Sequence, residues 1–217
     1  MLFRSPVPNL HFIYFTLPVW GDGWKMGQGA FQIHYYLWQI QAYFIALKLH
    51  RKIGFDLVHH VTFVKYSTPS FLSLLPIPFI LGPVGGGESA PKAFSQDFSR
   101  RGKIYEFLRS LFRWVGERDP FTRMTVRRSI LNWATTAETA ERMTKMGAKN
   151  VEVLSQVGLL PEEVTYLEQF PLADAAPLRF ISVGRFLHWK GFHLGLRAFA
   201  EASLPKEAEY WLIGNGA

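Results

Sequence analysis

Short apolar runs alternate with longer amphipathic or polar stretches along most of this chain. The runs are rich in aromatic and β-branched residues, which are favoured on the pleated surface of a sheet, so they predict β-strands. The predicted strands cover residues 10–17, 55–64, 78–81, 132–136, 151–154, 178–183 and 210–213.

The stretches between these runs predict helices. They cover residues 32–52, 69–75, 100–131 with a break near Asp119-Pro120, 138–146 and 192–202. Glycine readily adopts the conformation that ends many helices, so Gly54 and Gly147 predict two of the helix ends. Strands that alternate with helices predict an α/β fold with a Rossmann-like parallel sheet, in which ligands bind at the carboxyl ends of the strands.

The stretch 160–177 is the best candidate for a linker, because it contains three prolines and several acidic residues. It predicts a domain over 1–170 and a second domain, with the linker, over 171–217. The second domain would hold a single βαβ unit, which is too small to bury a sheet by itself. We therefore expect a fragment truncated at both ends, with the first strand region of the N-terminal domain missing and the C-terminal domain incomplete.

The composition is that of a folded chain, with 48% hydrophobic and 19% charged residues. The absence of cysteine excludes disulfides and thiolate metal sites. The net charge of +7 favours phosphorylated ligands, anionic lipid or nucleic acid as partners. Two nearly uncharged windows, 26–47 and 66–87, are interrupted by polar residues or prolines and do not predict membrane spans. No secretory signal is recognisable at the start, so we expect a cytoplasmic protein.

The decapeptide Ser182–Gly191, SVGRFLHWKG, follows the pattern of a strand, a glycine-bearing loop and a helix start. Arg185 and Lys190 place two cations beside Gly184, where a ligand can approach the backbone. N–H groups at a helix start favour negative charge, and basic side chains add charge-assisted hydrogen bonds, so the pattern predicts a diphosphate site. An ordinary turn with two solvated basic residues is the alternative.

Five stretches follow one another along the chain in a recognisable order: FDLVHH, FILGPVGGGE, ATTAETAERMTKMGAKNVEVL, SVGRFLHWKG and WLIGNG. Together they resemble the retaining glycosyltransferases of family 4, whose architecture of two Rossmann-like domains is called GT-B. The resemblance covers most of the chain from Phe55 onward. It implies a first domain that binds the acceptor and a second domain that binds a nucleotide sugar, which could be a UDP-, GDP- or ADP-sugar. The implied reaction is a hexosyl transfer to a saccharide or lipid-linked acceptor in bacterial surface polysaccharide synthesis.

The resemblance also implies roles for the donor-side residues. Arg185 and Lys190 match the family's GR-x4-KG pattern, whose cations contact the donor phosphates and would stabilise charge on the leaving nucleoside diphosphate. Gly184, Gly214 and Gly216 would lie near the nucleotide, while the pair Asn215-Gly216 also suits a plain turn. The chain has no DxD carboxylate pair and no cluster of ligand-spaced His, Asp and Glu, so we expect neither a metal nor a cofactor.

The glycine loop that follows the predicted strand at 78–81 consists of Gly85, Gly86, Gly87 and Glu88. Consecutive glycines permit positive φ angles and close approach of a ligand to the backbone. The resemblance places this loop at the acceptor-side cleft, where Glu88 could bind acceptor hydroxyls or position a proton acceptor. A flexible loop with a solvated acid is the alternative.

His59 and His60 are adjacent on a predicted strand, so their side chains point to opposite faces and at most one reaches the acceptor-side cleft. Family members often carry a His-x-His arrangement here, with one His near the reacting sugar. This chain has His59 in the first position and Val61 in the second. A hydrogen-bonded core histidine is the alternative for each.

Two signatures of the family are not found in the chain. The E-x7-E carboxylates, which engage the donor sugar, are expected beyond Ala217. The glycine-rich loop that usually follows the first strand is not recognisable in 21–29. The donor site is therefore expected to be incomplete, and the chain could be inactive without the missing region.

Residues 98–128 combine nine Arg and Lys residues with many apolar ones. A basic helix with an aromatic face can lie in a membrane interface, so this region predicts peripheral contact with an anionic membrane, at the inner face of the plasma membrane. A packed helix pair with a solvated basic face is the alternative. A non-catalytic membrane- or saccharide-binding module is accordingly the second function class. No motif supports nucleic-acid binding, and no GxGxxG after a strand supports an oxidoreductase.

Overall fold

The computed structural model describes residues 10–18, 28–61, 65–91, 93–170 and 177–216. Its helices are α1 (Gln28–Ile53), α2 (Arg100–Arg118), α3 (Pro120–Arg128), α4 (Ala137–Met146), α5 (Pro161–Glu168) and α6 (Phe192–Glu201). Its strands are β1 (Val58–His60), β2 (Phe79–Val84), β3 (Leu131–Ala134), β4 (Val151–Val153), β5 (Arg179–Val183) and β6 (Glu209–Ile213). Short 3-10 turns lie at Phe71–Leu74, Phe94–Asp97 and His188–Lys190. Within these described ranges, none of the helices is long and apolar enough to cross a membrane.

Strands β1 to β4 form a parallel sheet in the order β1-β2-β3-β4. Val58 pairs with Phe79, and Asn132 pairs with Val151. Parallel neighbours need crossover connections, which the chain supplies with the turn at Phe71–Leu74, then with α2 and α3, and finally with α4. This mixed α/β arrangement is compatible with a Rossmann-like fold, as the alternation of strands and helices predicted.

The hydrophobic core of this sheet lies where β2, β3 and β4 meet α3 and α4. Its buried residues are Tyr66, Phe79, Leu81, Val84, Val126, Ala134, Met143, Met146 and Ala148. Each large apolar side chain buried in this way contributes about 1.5–3 kcal/mol relative to exposure. The alternation of half-buried and buried residues along β3 shows that this strand presents one side to the core.

The predicted break at Asp119-Pro120 is confirmed and has a local cause. The Asp119 carboxylate accepts hydrogen bonds from the backbone N–H groups of Phe121 (3.3 Å) and Thr122 (3.0 Å), which caps the start of α3. Pro120 stands in the first turn, where its missing N–H is not needed. Gly147 adopts φ 100° after α4, so the predicted end of that helix is also confirmed.

Strand β1 is shorter than the strand predicted over 55–64, and the helix predicted over 69–75 is the 3-10 turn at Phe71–Leu74. Two other stretches differ in kind. Residues 10–17 form no strand; instead the Phe15 ring stacks on Trp38 of α1 at 4.7 Å, so this apolar run packs along a helix. The stretch predicted as a linker contains α5, where the Glu163 carboxylate accepts a hydrogen bond from the Leu160 backbone N–H. Local propensity does not show whether the apolar run 10–17 has a neighbouring strand to pair with. It also does not reveal the hydrogen bond that caps the start of α5. Parts of two predictions, 62–64 and 171–176, lie outside the described residues.

Contacts divide the chain into two compact units. The first comprises Met1–Gly87 and Val115–Ser155, and the second comprises Glu88–Trp114 and Gln156–Ala217. The first unit contains the four-stranded sheet and its core. The domain boundary after residue 170 stays a prediction.

The second unit contains β5 and β6, which pair in parallel over their full length. The connecting helix α6 covers one face of this pair, where the Phe199 ring lies 5.7 Å from Phe180 and 5.4 Å from Tyr210. The other face exposes the apolar side chains of Ile181, Val183, Trp211 and Ile213, and the Arg179–Glu209 ion pair lies at its amino end. The predicted βαβ unit is therefore present, with one covered face and one open face.

Candidate functional site

The predicted strand, loop and helix start over Ser182–Gly191 are found in the second unit. The chain leaves β5, makes the 3-10 turn at His188–Lys190 and enters α6 through Gly191, which adopts φ 70°. The loop runs beside the turn that follows β6, because the Phe186 N–H donates to the Asn215 carbonyl at 2.9 Å. The two predicted donor-side segments, after β5 and after β6, are thus neighbours at the carboxyl ends of paired parallel strands.

The glycines of these two segments serve different purposes. A Cβ added at Gly214 would collide with the carbonyl oxygen of Gly184, so this pair of backbones can approach only without a side chain. A Cβ at Gly184 would itself lie 3.4 Å from the Phe192 ring. Gly216 meets nothing within 4 Å and leaves open space at its position. Packing therefore explains Gly214, and Gly216 stays the candidate for ligand approach.

Arg185 and Lys190 are the cations of this loop. Both residues are exposed, and neither side chain makes a hydrogen bond or ion pair with another residue that the structure describes. Arg179, at the opposite end of the strand pair, differs because it pairs with the Glu209 carboxylate at 2.9 Å. The first turn of α6 also has no side-chain cap. The two exposed cations are available to an anion at the start of this helix.

The middle of the loop is fixed by aromatic contacts with α2 and with Phe98, which precedes that helix. The Trp189 ring stacks on Tyr105 with centroids 5.2 Å apart, and the His188 ring packs edge-on against Phe98 at 5.0 Å. A Cβ at Gly102 would lie 3.3 Å from His188, so α2 and this ring are in close contact. The residues between the two cations therefore hold the loop in place. Sequence reasoning missed this role, although an aromatic pair between Arg185 and Lys190 was the available signal.

The glycine loop after β2 is explained largely by packing inside the first unit. A Cβ at Gly85 would lie 2.5 Å from the Thr135 hydroxyl oxygen, and a Cβ at Gly87 would lie 2.6 Å from Thr139 Cα. The Gly87 N–H also donates to the Thr139 hydroxyl at 3.1 Å. Gly86 is exposed, adopts φ 92° and has open space around its Cβ position. Of the three glycines, Gly86 alone keeps the space that a ligand would need.

An arginine that sequence reasoning missed braces this loop. Arg142 Nε donates to the Gly87 carbonyl, and its Nη1 donates to the Glu117 carboxylate, both at 2.8 Å. The Tyr66 hydroxyl donates to the same Glu117 oxygen at 2.5 Å. Burial would lower the pKa of Arg142, but the bonds to Glu117 raise it overall, so the guanidinium stays charged. The three residues come from separate parts of the chain, and no local pattern marks them.

The backbone of Glu88 is held within the second unit. Its carbonyl accepts hydrogen bonds from Arg109 Nη2 at 2.6 Å and from Arg113 Nη1 at 2.8 Å. Arg113 also donates to the Ser89 hydroxyl at 3.0 Å. Two of the basic residues in 98–128 thus have a structural role on the chain segment that carries Glu88. The role of the Glu88 carboxylate stays a prediction.

The two histidines of β1 have different environments, and the strand turns them to opposite faces. His60 is buried, and both ring nitrogens have partners: Nδ1 lies 2.9 Å from the Ser70 hydroxyl and Nε2 lies 3.3 Å from the Tyr35 hydroxyl. Burial raises the pKa of Tyr35 well above its usual range, so that hydroxyl keeps its proton. His59 is exposed, and its Nε2 lies 2.7 Å from the Gly82 carbonyl oxygen. His60 therefore fits the core alternative, and His59 is the accessible member of the pair.

The arginines of α3 are engaged with backbone. Their Nε groups donate to carbonyl oxygens, with Arg123 on Glu117 at 2.8 Å, Arg127 on Met146 at 3.1 Å and Arg128 on Ser73 at 2.7 Å. Charged donors of this kind stabilise buried or half-buried carbonyls that would otherwise lack a partner. The basic region 98–128 therefore contains two kinds of cation. The arginines of α3, with Arg109 and Arg113 of α2, bind backbone carbonyls, whereas Arg100, Arg101 and Lys103 at the start of α2 are exposed.

No family model, curated protein or solved structure matches this chain. The resemblance to family 4 glycosyltransferases rests on the five motifs given above, and the function that it implies is a proposal.

Proposed function

We propose that this chain is part of a retaining glycosyltransferase with the GT-B architecture. It would move a sugar from a nucleoside-diphosphate sugar to a saccharide or lipid-linked acceptor in the synthesis of a bacterial surface polysaccharide. The observation that carries the proposal is the loop between β5 and α6, where Arg185 and Lys190 are exposed beside the turn after β6. The five motifs, in their order along the chain, support the same class.

The proposed chemistry follows from these two cations. When the glycosidic bond breaks, negative charge grows on the oxygen of the departing diphosphate. Arg185 and Lys190 would donate charge-assisted hydrogen bonds to the phosphate oxygens, and they would stabilise the transition state more than the ground state because the charge increases along the reaction. His188 and Trp189 would act as positioning residues, since their contacts with α2 fix the loop that carries both cations.

The acceptor side of the proposal rests on fewer groups. In the first unit, Gly86 has open space at its Cβ position and His59 is exposed, so either could meet an acceptor hydroxyl. Glu88 is kept as a candidate from the sequence motif. Gly85 and Gly87 would support the loop without contacting the acceptor, because packing against Thr135 and Thr139 already explains them. In this proposal, Glu88 orients an acceptor hydroxyl and His60 stays in the core.

Calorimetric titration of the chain with UDP, GDP and ADP tests the donor side. Each charge-assisted hydrogen bond to phosphate should contribute roughly 1.5 kcal/mol at an exposed site. Arg185→Ala and Lys190→Ala should therefore each raise the Kd for the preferred diphosphate by about tenfold.

The matched control is Lys206→Ala, which removes an exposed cation from the segment that precedes β6, at the opposite end of the strand pair. Its Kd should equal that of the unsubstituted chain. Equal affinities in all four proteins, or no binding of any diphosphate, would contradict the assignment of this loop.

A non-catalytic membrane-binding module is the second candidate, and one observation favours it. Helix α2 exposes the apolar side chains of Ile104, Phe107, Leu108, Leu111 and Phe112. This candidate predicts lipid binding with no diphosphate binding, so the titration separates the two.

A further inference from the structure

Helix α1 exposes a stripe of apolar side chains along its outer side. Four exposed residues make up this stripe: Ile33, Leu37, Ile40 and Phe44. Their spacing of four, three and four residues keeps them on one side of the helix. The opposite side packs on the first unit, because Gln39 and Ala42 are buried and the Tyr35 hydroxyl lies 3.3 Å from His60. A surface helix normally exposes polar side chains, so the stripe indicates a surface that binds another molecule.

The charges on α1 are confined to its carboxyl end. No Asp, Glu, Lys or Arg occurs from Gln28 to Leu47, whereas Lys48, Arg51 and Lys52 are exposed in the last turns. Two such helices that packed in parallel would bring their basic ends together, and like charges repel. An antiparallel pair keeps the two basic ends apart.

A recess lies beside the amino-terminal half of the stripe. It has a volume of about 270 Å³ and is lined by Gln32, Ile33, Tyr36 and Leu37. These residues belong to two neighbouring rows of side chains spaced four residues apart, and a second helix packs into the groove between such rows. The Tyr36 wall is held in place, because its ring packs edge-on against Phe71 at 5.5 Å. A cavity of about 150 Å³ holds a benzene molecule, so the recess can accept a phenyl ring.

The stripe itself supplies a ring of that size. Phe44 is 62% exposed. With the helical rise of about 1.5 Å per residue, Phe44 lies roughly 6 Å beyond Ile40 along the axis, and the centre of the recess lies roughly 8 Å before it. A twofold axis near Ile40 would therefore place Phe44 of each copy opposite the recess of the other copy. This self-complementarity is what the interface of a twofold dimer requires.

We propose that two copies of this chain pair through α1 as an antiparallel homodimer. The twofold axis would pass near Ile40, and Phe44 of each copy would enter the recess of the other. The four stripe side chains expose roughly 400 Å² per copy, so with the walls of the recess a pair would bury on the order of 1,000 Å², the area of a weak and reversible complex. The recess and its match with Phe44 would have no role at a lipid surface. The proposal goes beyond sugar transfer and does not depend on it.

Sedimentation velocity of the full chain, at concentrations from about 1 to 200 µM, tests the dimer. We expect a monomer–dimer equilibrium with a Kd of about 10 µM, as the buried area indicates. Phe44→Gln removes the ring that fills the recess and should raise this Kd at least tenfold. The matched control is Phe107→Gln, which changes a phenylalanine of similar exposure (66%) on α2 and should leave the Kd unchanged.

Disulfide cross-linking tests the direction and register of the pair. The chain has no cysteine, so a single introduced thiol can link only to the same position of another copy. Ile40→Cys would place two thiols face to face at the twofold axis, and mild oxidation should give a covalent dimer. Lys48→Cys is the control on the same side of the helix. Antiparallel pairing separates the two copies of this position by about 24 Å along the axis, beyond the reach of a disulfide.

Four results would overturn the proposal. The first is a chain that stays monomeric at every concentration. The second is a dimer whose Kd is the same in Phe44→Gln as in the unsubstituted chain, which would move the contact away from the recess. The third is a covalent dimer of Lys48→Cys but not of Ile40→Cys, which would show a parallel pair. The fourth is a monomer that binds phosphatidylcholine vesicles unless it carries Phe44→Gln, which would assign the stripe to a lipid surface.

Discussion

The loops after β2 and β5 look alike in sequence, since each follows a parallel strand and carries glycine with nearby polar residues, yet their contacts differ. In the first unit, Gly85 and Gly87 are packed against Thr135 and Thr139, and Arg142 donates a hydrogen bond to the Gly87 carbonyl of the loop. In the second unit, Arg185 has no described side-chain partner. Glycine alone is therefore a weak sign of a ligand site. The stronger sign is a charged group that the surrounding fold holds in place but does not neutralise.

The largest expected effect tests whether packing explains the first loop. Gly87→Ala places a Cβ against the backbone of Thr139, which cannot move without shifting the start of α4. Overpacking of this kind should lower the free energy of unfolding by about 3 kcal/mol in urea denaturation. Gly216→Ala is the control: its Cβ meets nothing, and the change should stay within about 0.5 kcal/mol. Similar values for the two variants would remove the distinction between packed and open glycines.

The next effect concerns the arginine that braces the first loop. Arg142→Ala removes the bonds to the Gly87 carbonyl and to Glu117, and it leaves the Glu117 carboxylate without its cation. We expect the free energy of unfolding to fall by about 2 kcal/mol, since hydrogen bonds to charged groups contribute about 1.5–3 kcal/mol.

The control for this variant is Lys145→Ala, which breaks an exposed ion pair with Glu141 on α4. An exposed pair of this type contributes little to stability, so this variant should unfold almost like the unsubstituted chain. If Arg142→Ala lowers the free energy of unfolding no more than Lys145→Ala does, Arg142 does not stabilise the loop.

The smallest effect tests how the second loop is held. Trp189→Ala removes the stack on Tyr105 and loosens the segment between Arg185 and Lys190. The Kd for nucleoside diphosphate should rise about threefold because the cations lose part of their fixed geometry. The free energy of unfolding should fall by about 1 kcal/mol because the aromatic pair is lost. Trp211→Ala, on the exposed sheet face, should leave the Kd unchanged. An equal rise in both variants would show that the stack has no special role.

The sequence predicted the regular elements well where local chemistry decides them. Asp119-Pro120 and Gly147 mark helix ends through capping and backbone conformation. The strands predicted at 78–81 and 132–136 correspond, within a few residues, to the parallel neighbours β2 and β3. The prediction of a strand over 10–17 was wrong. A strand needs a neighbouring strand to pair with, and the composition of the run does not show whether there is one.

The parts of the candidate site that escaped prediction depend on contacts between distant residues. Arg142, Glu117 and Tyr66 meet only after the chain has folded, and no spacing connects them. The direction of α2 is a similar case. Its pattern shows an apolar stripe, which normally points inward, and only the bonds of Arg109 and Arg113 to Glu88 reveal that the stripe points outward.

The central claim is that Arg185 and Lys190 recognise a diphosphate. The most direct test compares the Kd values of the preferred nucleoside diphosphate and of its parent nucleoside, in the unsubstituted chain and in Arg185→Ala with Lys190→Ala, by calorimetry at low ionic strength. The account predicts that the unsubstituted chain prefers the diphosphate by at least tenfold and that the double variant loses this preference while its affinity for the nucleoside is unchanged. A double variant that still prefers the diphosphate by the same factor would contradict it.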